Sequence, residues 1–251
     1  MWSRRAAYIT LRVARRPADA NHPYGHHKAE YLSAVVEGAL ILIAAVSIFA
    51  KATSNLQNPR PLYAGETGLL VSAAASIING LWAAFLVRTG VRLRSPALQA
   101  DGQHLFTDVI TSVGTVAGVG LAMLTGWALL DPLLAILIAL NVLWVGYRLL
   151  RSSANGLMDE AVSPKVLSLV RETVALEAEG ALEAHDLRTR YSGAVTYIEF
   201  HLVVPGQMTV QKAHDICDRI ETALEGQIAD SQVTIHVEPE AKAKHRGIVV
   251  L

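Results

Sequence analysis

Four stretches of about 20 mostly apolar residues, roughly 31–50, 67–87, 103–124 and 127–149, fill the chain before Asp159, and each has the length a helix needs to cross the hydrocarbon core of a bilayer. After Asp159 charged and apolar side chains alternate as they do in water-soluble domains. Inside lipid every backbone N–H and C=O must be satisfied within its own segment, so the first part is confined to helices. The chain is expected to form an α-helical transmembrane bundle followed by a small α+β domain. The expected divisions are 1–160 for the membrane part, 161–240 for the soluble domain and 241–251 for a tail. Ahead of the spans, Ala6–Val13 is apolar but lies among Arg4, Arg5 and Arg12. It is too short to span and reads as a partial helix at the N-terminus whose beginning is absent.

Short cytoplasmic loops collect Lys and Arg. Arg12, Arg15, Arg16 and Lys28 lie in or beside the first connection, and Arg88, Arg92 and Arg94 around the third. The second holds Lys51 and Arg60, and the fourth, around Thr125–Gly126, holds no basic residue. The first and third connections and the C-terminal domain are therefore expected in the cytoplasm. Basic and acidic residues balance at 22 each, which argues against a nucleic-acid-binding protein, since those carry a basic excess or stripe. The single cysteine, Cys217, excludes an intramolecular disulfide and a cysteine-cluster zinc module.

Ionisable groups within spans are costly and usually mark an ion or proton path. His104 and Asp108 are four residues apart in the third span, so both project from one helical face. An imidazole and a carboxylate together suit zinc or a similar divalent ion. The alternative is a histidine and an aspartate bonded to each other or to neighbouring helices, and at this point both readings stand. Glu37, in the first span, either lines a path or pairs with a polar group such as Asn79, and Asp101 precedes the His104 pair by one turn.

The first cytoplasmic connection reads Asp19-Ala-Asn-His22-Pro-Tyr-Gly-His26-His27-Lys28-Ala-Glu30. Pro23 and Gly25 permit a tight turn, and clustered histidines beside an aspartate can wrap one ion. A solvated polar loop is the alternative; the clustering favours a metal site of modest affinity. In the soluble domain, Ser163-Pro164 starts a helix that runs to about Glu177. Strands follow at Ala184–Arg190 and Val195–Val204, turning at Tyr191-Ser192-Gly193; a helix runs from Thr209 to about Leu224 and a strand covers Val233–Glu238. This αββαβ order gives a small ferredoxin-like sheet with its helices on one face. Alternation puts Ile198, Phe200, Leu202 and Val204 on one side of the second strand, and Tyr197, Glu199 and His201 on the other. In the last strand Val233, Ile235 and Val237 are the expected buried set, with His236 and Glu238 opposite. His185 falls across from His201, and the second helix adds His214 with Asp215 and Asp218 close by. Solvated histidines are the alternative for any one of these, but the convergence favours a metal site. His245, in the charged tail, reads as solvated.

With these residues in hand, the chain closely resembles the cation diffusion facilitator family of divalent metal transporters, from about Ala6 to Glu238. The resemblance is carried by His22-Pro-Tyr-Gly-His26-His27-Lys28-Ala-Glu30, by His104-Leu-Phe-Thr-Asp108, by Asp131-Pro132 and by Gly156-Leu-Met-Asp159, in this order and spacing. It implies a homodimeric, multi-pass metal–proton antiporter in a bacterial inner membrane that moves zinc, or cadmium, iron or cobalt, out of the cytoplasm. Protons and membrane lipid are the further partners it implies. His104 and Asp108 would belong to the transport site, and Asp19, His22 and His26 to a loop site. His185, His201, His214, His236 and Glu238 would be cytoplasmic metal ligands, Glu238 standing where many members have aspartate. Lys28 and Asp159 match a charge pair that interlocks the protomers. A histidine with an aspartate in this helix resembles the zinc-type members. Set against the family pattern, the first helix and two transport-site aspartates fall before Met1, so the chain is expected to be an N-terminally truncated form that does not transport by itself. The rivals are a non-transporting metal-binding subunit that pairs with full-length members, and a membrane zinc hydrolase, for which the sequence offers no HExxH-type motif.

Overall fold

The computed structural model describes residues 2–57, 66–245 and 247–249; of the loop charges above, Arg60 lies outside the described residues. Two compact units emerge, Met1–Asn155 and Gly156–Leu251.

The first unit is helical: α1 (Trp2–Ala14), α2 (Ala29–Gln57), α3 (Glu66–Arg92), α4 (Pro96–Thr125) and α5 (Leu130–Leu157), whose last two residues pass into the second unit. Four of these are long and apolar enough to cross a membrane, each longer than its expected span. Helix α4 begins at Pro96 rather than near Gln103, because Ser95 caps it by accepting a hydrogen bond from the Leu98 N–H and Pro96 occupies the first turn. The chain leaves α4 at Gly126, which takes the left-handed conformation (φ 70°) that a helix terminus favours. Trp127 consequently lies in the turn, its carbonyl accepting from Leu130 N–H, and α5 starts three residues later than expected. Small residues let the helices approach closely: a Cβ on Gly102 of α4 would lie 3.0 Å from the Val87 backbone nitrogen of α3. Ala83 and Leu86 of α3 pack on Leu105 of α4, and Ile41 and Ala45 of α2 pack on Val142 of α5. Leucines and isoleucines such as Ile43, Leu81 and Leu137 remain on the outer surface, as a lipid-facing bundle requires.

The second unit continues with α6 (Pro164–Glu177), β1 (Glu183–Ser192), β2 (Val195–Val204), α7 (Val210–Gln227), β3 (Ser231–Pro239) and the two-residue β4 (Ile248–Val249). Helix α6 starts at Pro164 as expected, although the Ser163 side chain makes no capping bond. The sheet order is β3-β2-β1-β4, with β2 antiparallel to β1 and parallel to β3. The hairpin is tighter than expected: Ser192 pairs with Val195, which leaves Gly193 and Ala194 as the turn. Val170 and Val174 of α6 and Ile216, Cys217, Ile220 and Leu224 of α7 close on Ile198, Phe200, Leu202 and Val204. The opposite sheet face carries His201. One expectation is corrected: Val237 is 38% exposed rather than buried, because β3 is an edge strand. Within the 241–251 tail, Ile248 pairs with Ala184 and extends the sheet beyond β1.

Candidate metal centres

The loop between α1 and α2 folds around Asp19. Its Oδ1 accepts hydrogen bonds from the backbone N–H groups of Asn21 (2.9 Å) and His22 (2.7 Å), closing an Asx-type turn. These bonds, the one from His22 foremost, hold the Asp19 carboxyl below the usual carboxylate range. The same side chain stands 3.2 Å from His22 Nδ1 and 3.5 Å from His26 Nε2, so one ligand atom from each of the three residues falls within 4.8 Å of the others. Zinc bonds of about 2.0–2.2 Å in a tetrahedron place neighbouring donor atoms about 3.3 Å apart, close to these spacings. Gly25 supplies the left-handed corner (φ 79°) that turns His26 back toward Asp19.

In the membrane unit, His104 Nε2 lies 3.8 Å from Asp108 Oδ2, as the four-residue spacing requires. On its other side His104 Nδ1 lies 3.8 Å from Glu37 Oε2. Glu37 therefore meets His104 rather than Asn79, a pairing across 67 positions that no helical period reveals. Asp101 is buried one turn earlier on α4.

In the second unit the register pairs His185 with His201 and His201 with His236, lining three imidazoles across β1, β2 and β3. Glu238 reaches into the row, with Oε2 3.3 Å from His185 Nε2 and Oε1 3.3 Å from His201 Nδ1 and 3.7 Å from His236 Nε2. Both ring nitrogens of His185 and Nδ1 of His201 are buried without a hydrogen bond, although carboxylate oxygens face them. Buried polar nitrogens in this condition call for another partner, and a cation between imidazole and carboxylate supplies one. Two residues absent from the sequence reading join the cluster. Glu183 Oε1 is 3.3 Å from His185 Nδ1, and its place two residues before His185 was the available signal. Asp186, though exposed, groups with His185 and His201 within 4.8 Å, turned toward the histidine face by a left-handed backbone (φ 54°) at the irregularity between His185 and Arg188. Lys244 hydrogen-bonds the Asp186 carboxylate and holds it below the usual range.

His214 is not brought to this row. It is exposed on α7, 3.7 Å from Asp218, while α7 packs on the sheet's other face; Asp215 is engaged by Gln211 instead. His245 is exposed as expected, with its backbone N–H donating to Glu183. Asp159 sits in a left-handed conformation (φ 61°) and bonds Arg190 at 3.2 Å.

Comparisons with known proteins identify the family. Residues 1–158 match the cation efflux transmembrane domain, and residues 163–240 match the cytoplasmic domain of cation efflux proteins. An uncharacterized transporter of Synechocystis is 46% identical over 233 residues, covering 93% of this chain and 75% of that protein. The cation-efflux pump FieF of Escherichia coli is 30% identical over 239 residues, covering 95% of this chain and 79% of the pump. A solved structure of CzrB in its Zn form is 42% identical, covers 34% of this chain and 98% of its own, and superposes with a TM-score of 0.31. With ionisable groups planted in membrane helices and both domain matches in order, the chain belongs to the cation diffusion facilitator family, membrane proteins that export divalent metal ions and are not enzymes.

Proposed function

We propose that this chain serves zinc export from the cytoplasm in exchange for protons, acting within a homodimer in a bacterial inner membrane with its C-terminal domain in the cytoplasm. The observation that carries the reading is the His104–Asp108 pair on one face of a membrane helix, an imidazole and a carboxylate where ionisable groups are costly. Nitrogen and oxygen donors together suit zinc, with cadmium, iron and cobalt as the related ions. Ligands must shed protons to bind metal, so an ion loaded on one side and protons loaded on the other drive opposite fluxes. Asp19, His22 and His26 form a second site at the membrane surface. His185, His201, His236 and Glu238 form a third that senses cytoplasmic metal, and His214 with Asp218 adds a separate exposed pair. Lys28 and Asp159 interlock the two protomers near the membrane surface. The division into a membrane part at 1–160, a metal-binding domain at 161–240 and a tail belongs to the same proposal.

The test is zinc uptake into everted membrane vesicles of the native cell, driven by a proton gradient, with His104→Ala introduced in the protein's own gene. Loss of the gradient-dependent component is expected. Uptake that is unchanged by His104→Ala and by Asp108→Ala sinks the proposal.

A further inference from the structure

Glu37 sits in the first third of α2 with 3% of its surface exposed, and its Oε2 makes no hydrogen bond. A buried carboxyl in this condition is costly and seldom without use. It faces His104 Nδ1 on α4, at 3.8 Å. Asp108 stands at the opposite ring nitrogen, Nε2, also at 3.8 Å. The two nitrogens of an imidazole point away from each other. An ion held by Nε2 and Asp108 is therefore out of reach of a carboxylate on the Nδ1 side, so Glu37 and Asp108 do different work.

We infer that Glu37 is a positioning residue for His104: it accepts the Nδ1–H, fixes the tautomer in which Nε2 is unprotonated, and aims that nitrogen at the ion shared with Asp108. The inference rests on the transport-site reading of His104 and Asp108. The 3.8 Å separation exceeds a hydrogen bond, and closing it takes about 1 Å of side-chain movement. Carboxylates placed behind metal-binding histidines fix the ring's orientation and raise its basicity. The second unit repeats the disposition independently, with Glu183 Oε1 3.3 Å from His185 Nδ1 and Glu238 Oε2 3.3 Å from Nε2 of the same ring.

The experiment is nitrogen NMR of the full chain in detergent with isotope-labelled histidine, the His104 signals being assigned by their loss in His104→Ala. In the unaltered chain Nδ1 is expected to carry the proton, and added zinc shifts Nε2. Glu37→Ala is expected to remove the tautomer preference and to raise the zinc Kd read from that signal roughly 10–100-fold. Glu37→Leu, which fills the space without an acceptor, does the same, and Glu37→Gln, whose amide oxygen still accepts the proton, restores both readouts. The signals of His22 and His26, which belong to the same unit as Glu37, report that the membrane unit of each variant is folded. A tautomer and Kd unchanged in both Glu37→Ala and Glu37→Leu overturn the role, as does a Gln variant that restores neither. Zinc that moves neither nitrogen of His104 in the unaltered chain overturns the transport-site reading and the positioning role with it, an outcome visible before any Glu37 variant is made.

Discussion

Glu238 touches three histidines at 3.3, 3.3 and 3.7 Å, so a single side chain connects the row across the sheet. Its extra methylene relative to aspartate lets a residue on the edge strand reach across β2 to His185 on β1. Glu238→Ala is expected to weaken zinc binding by the second unit more than Glu238→Asp, which keeps the oxygens on a shorter arm; calorimetric titration of both variants separates reach from charge. Glu183 acts behind His185, so Glu183→Ala is expected to weaken the same binding roughly 10–100-fold while Glu183→Gln largely spares it. At Asp19 the carboxyl is held low by backbone N–H bonds. A group whose folded value is depressed contributes stability above its unfolded value and loses it as pH falls through the folded one. The Asx turn therefore persists as pH falls to about 4, where an unfolded aspartate is already half protonated. Zinc, whose ligands must be deprotonated, leaves first. Amide shifts of Asn21 and His22 that collapse together with zinc release would contradict this order. His201, His236 and Glu238 were legible because a strand's period of two maps directly onto faces. Asp186 was not, because a left-handed residue at an irregularity cancels the alternation that would have placed it with Ala184 on the core face.

At the scale of elements, sequence signals located ends better than neighbours. Ser163-Pro164 marked the start of α6 and Thr209 the cap of α7, where its hydroxyl accepts from the Lys212 N–H. Ser95-Pro96 carried the same signal for α4, but the apolar run drew the boundary inward to Gln103. Which helices meet was not legible, since four apolar helices offer no charge pattern that fixes their pairing, and Glu37 on α2 opposite His104 on α4 depends wholly on that pairing. Gly102 shows the packing constraint. An added Cβ would lie 2.7 Å from Val87 Cγ2, 3.0 Å from Val87 N and 3.2 Å from Ala83 O, so backbone as well as side chain would have to give. Gly102→Leu is expected to spread α3 from α4, to cost about 1–3 kcal/mol by overpacking, and to weaken zinc binding at His104, two residues along. A thermal melt in detergent and the His104 signal check both. In α7, Cys217 is buried against the sheet, and burial pushes its thiol up. It is expected to resist alkylation at neutral pH in the folded chain and to react once the second unit unfolds, because the thiolate is the nucleophile. Rapid labelling of the native chain would show that α7 leaves the sheet readily.

Over the whole molecule, two units with separate cores carry separate candidate sites, the loop and membrane sites in the first and the histidine row in the second. The partition was legible from the apolar runs alone, because lipid and water impose incompatible surfaces on one chain. Separate cores imply separable responses to metal. Zinc that binds the folded histidine row and not the unfolded chain stabilises that unit by about 2.7 kcal/mol at one hundred times its Kd. For a unit of this size that corresponds to a rise in Tm of roughly 10–20 °C. The rise should vanish with a chelator and shrink as pH falls, since protons compete for the same nitrogens and oxygens. His201→Ala with His236→Ala should abolish it while leaving the zinc response of His104 in place, because those two side chains contribute nothing to the membrane unit's core. Calorimetry of the full chain in detergent, with the Cys217 thiol reporting unfolding of the second unit and the His104 signal reporting the first, reads both at once. If the double variant silences His104 as well, the two sites act as one, and the row on the sheet controls the membrane site directly rather than sensing metal by itself.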